Sequence, residues 1–342
     1  MVSRLYSTTN NGFPHAELMY ARESLKRGVI THEEYSKMVG EKIGKILRLQ
    51  EECGIDVATG GAYGFDDLFS PFFDGGVAGL KRNGLIRFFD NNTYYRKPIV
   101  IGRIQHNQYS VKPMVEGVLK YVKEPSKFKA LLPGPYTFAA LSENTYYPNQ
   151  QSLLSDLVEL LRVELEGILS LGVGYVEVSD PSLGWLDPNK EEEMRRVYKD
   201  FVGDNAHRVW FTMPFHEPNP STLNVLLGLG ETVVSLDLSS TTLHGGANVN
   251  DNTGWVNSAK SVLNRLSPKL KDARVDLGLV DSRNTLLEDV SYAKRILDEA
   301  LSYGPREVYV SNNASLDFLP ESVAFNKVRL IGRLKKEANS LG

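Results

Sequence analysis

Polar clusters recur along this chain directly after short apolar runs, and they hold residue types that do chemistry. In chain order they are Asn10, Glu177 with Ser179 and Asp180, His216, Asp237, Asp281 with Arg283 and Asn284, and Asn312 with Asn313. Carboxylates gathered in one place can bind an amine, hold a metal or move a proton, and a histidine beside them can act as a base. We take His216 and Asp281 as candidate catalytic residues. Asn10, Glu177, Asp180, Asp237, Arg283, Asn284 and Asn312 are candidate substrate-binding residues. Each alone has a plainer role as a helix cap or salt-bridge partner; their convergence argues for a ligand. On this reading, Asp180→Ala or Asp237→Ala weakens ligand binding and leaves the core intact.

The runs that must position these clusters have strand length: residues 4–8, 56–59, 128–132, 175–178, 208–215, 232–238, 274–280 and 307–310. Most are separated by amphipathic helical stretches, the crossover that parallel strands require. The expected fold class is α/β, a single (β/α)8 TIM barrel over residues 1–342, with its chemistry at the C-terminal strand ends. Helices are expected over 18–27, 31–52, 152–171 and 190–202, the last as a solvated outer helix. Thr31 with Glu34 three residues on has the spacing of a capping box.

Residues 66–110 break the strand–helix rhythm. Two apolar runs flank a turn at Asn91–Asn92, which reads as a β-hairpin insertion after the second strand, near the barrel mouth. Phe88, Phe89, Tyr94, Tyr95 and Tyr109 could line a pocket there or simply pack on the rim. Residues 243–255, rich in Gly and Asn, read as a loop over the mouth. His15, His106 and His244 fall in loops that could reach it, whereas His32 and His207 look like helix-surface residues.

The totals exclude several classes. A formal net charge of −3 over 342 residues gives no electrostatic case for nucleic acid or an anionic membrane. No apolar run is long enough to span a bilayer, and a cytoplasmic protein is expected. The single Cys53 rules out an internal disulfide and a multi-thiolate metal site within one chain; it reads as a small buried hydrophobe at a helix end. Glycine clusters at 60–64 and 228–230 lack the strand–helix context of a dinucleotide fingerprint and read as turns.

Several stretches together resemble the cobalamin-independent methionine synthase family, most of all the N-terminal barrel of its two-barrel members. They are Gly12-Phe-Pro14, Tyr20-Ala-Arg-Glu-Ser-Leu-Lys-Arg-Gly-Val-Ile-Thr31, Arg87-Phe-Phe-Asp90 and Leu132-Pro-Gly-Pro-Tyr-Thr137. Further on come Phe211-Thr-Met-Pro-Phe215, Leu236-Asp-Leu238, Leu277-Gly-Leu-Val-Asp-Ser-Arg-Asn284 and Val310-Ser-Asn-Asn-Ala-Ser-Leu316. They follow the family's order across nearly the whole chain. The resemblance implies methyl transfer from a methylated folate to homocysteine, with a zinc ion on one His, one Glu and two Cys making the thiolate.

This chain departs from that ligand set. The His-x-Cys segment reads Thr212-Met-Pro-Phe-His216, the zinc Glu position gives at best Asp237, and the last Cys position falls in Asn312-Asn-Ala-Ser315. Basic residues expected after Gly-Phe-Pro to grip a folate tail are missing as well. Two readings stay open. The chain is a zinc-less subunit that binds a folate-type methyl donor or a homocysteine-like amino acid, with zinc only in a separate zinc-bearing barrel. Alternatively, it is a metal-free methyltransferase acting on a small thiol or amino acid, with His216 or Asp281 taking the proton.

Overall fold

A computed structural model describes residues 3–339 except Asn92 and residues 245–250. Its strands are β1 (Arg4–Ser7), β2 (Ala58–Thr59), β3 (Ala78–Arg87), β4 (Tyr94–Gln105), β5 (Phe128–Pro133) and β6 (Glu143–Asn144). They continue with β7 (Tyr175–Ser179), β8 (Val209–Thr212), β9 (Val233–Asp237), β10 (Arg274–Val280) and β11 (Glu307–Asn312). An eight-stranded parallel sheet runs in the order β1-β11-β10-β9-β8-β7-β5-β2. Its two ends meet through a parallel bridge between Thr8 and Val57, with the Val57 amide donating to the Ser7 carbonyl at 3.1 Å. The architecture is α/β and TIM-barrel-like, and each of the eight expected runs overlaps one of its strands, with β5, β7 and β11 running one or two residues further.

Alternation along the strands explains which side chains reach the interior. Val176 and Val178, Val209 and Phe211, Val234 and Leu236, and Val308 and Val310 join the large apolar cluster shared with the outer helices. Residues between them face inward, as a period of two requires. Tyr6, Val57, Tyr175, Trp210, Val233 and Tyr309 form a separate apolar cluster that plugs the barrel interior. Glu177 and Asp237 stand on this inward-facing set, so their strands alone decide that they cannot be surface residues.

The outer helices follow their sequence signals. Thr31 caps the helix His32–Glu52: its hydroxyl accepts from the Glu34 amide at 3.1 Å while the Glu34 carboxylate accepts from the Thr31 amide at 2.7 Å. The helix Glu191–Val202, expected as solvated, instead buries Met194, Val197, Tyr198, Phe201 and Val202. Its charges occupy one face only, and the apolar positions recur at helical spacing. Residues 243–255 are not simply a loop. Ser240–His244 is helical, and Asp251 caps the helix Asn252–Leu270 by accepting from the Gly254 amide at 2.8 Å. Trp255 is buried on that helix, its indole donating to the Leu238 carbonyl at 2.7 Å; the remainder of the stretch, 245–250, lies outside the described residues.

Between β2 and β5, the long strands β3 and β4 pair antiparallel, from Ala78 opposite Gln105 to Arg87 opposite Tyr94. Asn91 is buried and its amide donates to the Phe88 and Phe89 carbonyls, both at 3.2 Å. Asn92, the other half of the expected turn, lies outside the described residues. Strand β6 adds to β4 and makes this a three-stranded sheet beside the barrel.

Candidate functional site

A charged layer lies inside the barrel above the aromatic plug. Lys129 is fully buried, 3.1 Å from the Glu177 carboxylate, with its ammonium 4.2 Å from the Trp210 ring centroid. It also donates to the Asn10 side-chain carbonyl. Asn10 in turn donates to Asp276 at 2.7 Å, Ser311 at 3.0 Å and the Asn312 carbonyl at 3.0 Å. Burial pushes the Glu177 and Asp276 carboxyls upward, and the Lys129 charge pulls both the other way. Lys129 and Asp276 were not singled out in the sequence. The signal was there: each is a charge flanked by apolar residues within a strand run, a position where a side chain must either face solvent or find a partner.

Above this layer a cleft opens between the strand ends and the hairpin, with about 670 Å³ of space that is partly open to solvent. The barrel supplies Asn11 and Gly12 after β1, Ala62 after β2, Leu131, Ser179, Pro214 and Phe215 after β8, and Ser315, Asp317 and Phe318 after β11. The hairpin and its approach supply Phe65, Asp66, Asp67, Phe88, Thr93, Tyr94 and Tyr95. Phe88 meets Tyr95 and Phe215 edge-on at 6.0 and 6.2 Å between centroids, and Phe318 lies 6.2 Å from Phe215. Phe89 instead stacks on Trp185 at 5.0 Å, and Tyr109 packs on His106 away from the cleft.

Backbone strain concentrates on this cleft. Six non-glycine residues among those described have positive φ, and Asn11 (58°), Ala62 (55°) and Phe215 (79°) all line it. Such conformations cost free energy and persist where surrounding contacts hold them. The holding groups are visible. Both Glu177 oxygens accept from the Asn11 amide, at 3.0 and 3.2 Å. Asp237 accepts from the Phe215 amide at 2.9 Å. The Asn11 side-chain amide, by contrast, is buried without a hydrogen-bond partner among the described residues.

None of the nine residues expected to form the site lines the cleft. The residue next to several of them does: Asn11 beside Asn10, Ser179 beside Asp180, Phe215 beside His216. Asp180 is fully buried and accepts from Thr137 through its amide at 2.7 Å and its hydroxyl at 2.5 Å, from the Tyr136 amide at 3.3 Å, and from the Tyr198 hydroxyl. It caps the helix Pro135–Leu141, and burial pushes its carboxyl up to about 6 against those donors. Gly134 has no room for a side chain because that carboxylate fills the space. Asp281 accepts from the Thr241 amide at 3.1 Å, the Arg283 amide at 2.8 Å and the Asn284 side chain at 2.8 Å. Asn312 bonds the Asn10 backbone in both directions at 3.0 Å. Arg283 places its guanidinium 5.3 Å from the Phe215 ring centroid.

His216 is half-buried, its ring 3.7 Å from that of Trp185 and its Nε2 without a partner among the described residues. Burial and then Arg283 lower it to about 4, so it is a neutral imidazole near pH 7. His15 does line the cleft, but Nδ1 lies 2.8 Å from the Phe13 carbonyl and Nε2 2.9 Å from that of Phe65. His106 stands 3.6 Å from the buried Glu164. Cys53 is half-buried at the end of the helix His32–Glu52, where burial raises its thiol.

The residues present do not fit zinc. That metal asks for thiolate and imidazole donors in a tetrahedron. At the corresponding strand ends Asp237 is taken up by Phe215, Ser239, Thr242 and Asn313, the last donating its amide to both oxygens at 3.2 Å. Among the described residues no group of three or more His, Cys, Asp and Glu is placed to hold a metal ion.

Fold and cleft together define a class: a TIM-barrel-like α/β protein with a cleft between its strand ends and the antiparallel pair β3–β4. Residues 74–303 match the family described as "Cobalamin-independent synthase, N-terminal domain", and the chain belongs to that family. It is similar to the methionine synthase of Sulfolobus acidocaldarius, 24% identical over 96% of this chain and 90% of that one. It is likewise 24% identical to the methionine synthase of Pyrococcus furiosus, over 92% of this chain and 88% of the relative. Among solved structures it resembles a B12-independent methionine synthase from a Shewanella species, with a TM-score of 0.73 at 14% identity, covering 98% of each chain. A putative vitamin-B12 independent methionine synthase from Listeria monocytogenes gives 0.70 at 18%, again over 98% of each. No described helix is long and apolar enough to cross a membrane.

Proposed function

We propose that this chain works in methyl transfer from a methylated folate-type donor to homocysteine, as a zinc-less subunit beside a separate zinc-bearing barrel. One observation carries the reading: the strand-end carboxylates are spent on backbone and amide donors, while a strained cleft beside them stays open. A barrel that had lost its ligand site along with its metal donors would have no reason to hold Asn11 and Phe215 in left-handed conformations. In this reading residues 66–110 are an insertion that roofs the mouth and supplies aromatic walls to a small-molecule ligand. Family membership and the methionine synthases among its relatives support the reaction class. Zinc chemistry, where the reaction needs it, belongs to the partner.

A second reading rests on His216. Its neutral imidazole, with Nε2 unpartnered among the described residues, is the proton acceptor of a metal-free enzyme in this reading, although its lowered pKa makes it a weak base and it stands behind Phe215 rather than in the cleft lining. One assay separates the two: methionine formation from homocysteine and a methylated folate by the purified chain, with and without a zinc-bearing methionine synthase barrel. The chain alone is expected to be silent, and the pair to exceed the zinc-bearing barrel alone. Turnover by the chain alone that survives chelation would replace the first reading with the second.

A further inference from the structure

Acid and aromatic side chains share the walls of the cleft, and among the described residues that line it none is a lysine or arginine. Asp66 is already paired with Arg22 at 2.8 Å. Asp67 accepts from the amides of Phe69, Ser70 and Arg96, each at 2.9 Å. Asp317 stands on the cleft wall, where desolvation raises its carboxyl and Ser315 and His15 oppose that, and no Lys or Arg among the described residues forms an ion pair with it. The space is therefore acidic, with Asp66 and Asp67 engaged and Asp317 the carboxylate that no Lys or Arg among the described residues neutralises.

We propose that the cleft binds a methylated onium ligand, a quaternary ammonium or sulfonium ion, that also carries an oxygen acceptor such as a carboxylate. The inference rests on the reading of this cleft as the ligand site. An onium ion has no N–H to satisfy, and its charge is spread over methyl groups that pack against rings. Aromatic faces plus a nearby carboxylate are the surroundings that stabilise it. Phe88, Tyr94, Tyr95, Phe215 and Phe318 supply the rings and Asp317 the charge. Phe215 already has the Arg283 guanidinium 5.3 Å from its centroid, on a residue outside the lining, so this ring accepts a cation.

The second half of the ligand follows from Asn11. This residue is 6% exposed, lines the cleft and holds an amide donor with no partner among the described residues. A buried donor left unmatched is costly, and a ligand oxygen would remove that cost. A polyanionic tail would find no Lys or Arg among these described lining residues.

Isothermal titration of the full chain near neutral pH tests this with five probes. They are trimethylglycine, dimethylsulfonioacetate, tetramethylammonium, methyltetrahydrofolate and tert-butylacetate, which keeps the shape and carboxylate of trimethylglycine and lacks its positive charge. Both carboxylated onium ions are expected to bind at least about tenfold tighter than tert-butylacetate. Whichever binds tighter distinguishes the nitrogen from the sulfur source. Asn11→Gly, which removes the amide and keeps the left-handed backbone without strain, is expected to weaken trimethylglycine and leave tetramethylammonium unchanged. Asp317→Asn is expected to weaken all three cations. Equal binding of tert-butylacetate and trimethylglycine would overturn the proposal. Binding of methyltetrahydrofolate alone would also overturn it while leaving the methyl-transfer reading intact. Silence from every probe would remove the ligand cleft and the proposal together.

Discussion

Lys129→Met is expected to lower the unfolding free energy by about 3–5 kcal/mol, the usual result of removing one partner from a buried ion pair. Lys129 is the one cation found in the described interior layer, and Glu177 and Asp276 both depend on it. Methionine keeps the bulk of the stem, so lost packing contributes little and the stranded carboxylates dominate. Lys129 also donates to Asn10 and, through Glu177, supports the left-handed Asn11 at the cleft. Adding Glu177→Gln should recover part of the loss, because a neutral amide replaces one unpaired charge. Urea denaturation of the single and double variants measures both effects. An unchanged midpoint for Lys129→Met would mean that the layer is solvated and not a closed ion network.

Asp237→Ala carries the second large effect, about 3–5 kcal/mol of destabilisation together with loss of ligand binding. The carboxylate accepts from the amides of Phe215 and Ser239 at 2.9 and 3.2 Å, the hydroxyls of Ser239 and Thr242 at 2.7 and 2.8 Å, and the Asn313 side chain. Alanine strands these buried donors at once and frees Phe215 to leave its strained conformation. The sequence-level expectation, weaker binding with an intact core, is thereby corrected for Asp237. It is corrected for Asp180 as well, whose carboxylate holds Thr137, Tyr136 and Tyr198. Thermal melts of Asp237→Ala and of Arg283→Ala, whose guanidinium packs only on a ring face, check the difference. Equal and small shifts would contradict the capping role.

The sheet was legible because most strands are apolar or alternating runs that stop at a polar residue, and β5 stops at Pro133-Gly134. The helix His32–Glu52 was legible from Thr31 and Glu34, whose side chains bond locally and so leave their mark within four residues. The site was legible only to within one residue. At a strand end, successive side chains point in opposite directions, and a chemist's preference for carboxylates selects Asp180 and Asp237 over Ser179 and Phe215. Nothing in the sequence reports that five donors converge on Asp237, because Phe215 and Asn313 come from other strand ends. The helix that begins at Asn252 was hidden by Gly254 and the surrounding asparagines, whereas Asp251 three residues earlier was a readable cap. Lys129 was missed for the opposite reason: a lone lysine in a strand suggests a surface residue until the fold encloses it.

Hydrogen exchange followed by mass spectrometry, with and without saturating trimethylglycine or homocysteine, tests most directly whether the cleft is where this barrel meets its ligand. Protection is expected in peptides covering residues 11–15, 62–68, 88–95 and 315–318, the segments that wall the cleft. Protection confined to residues 239–243 and 281–288, with those four segments unchanged, would move the site to the carboxylates of the strand ends and contradict the assignment.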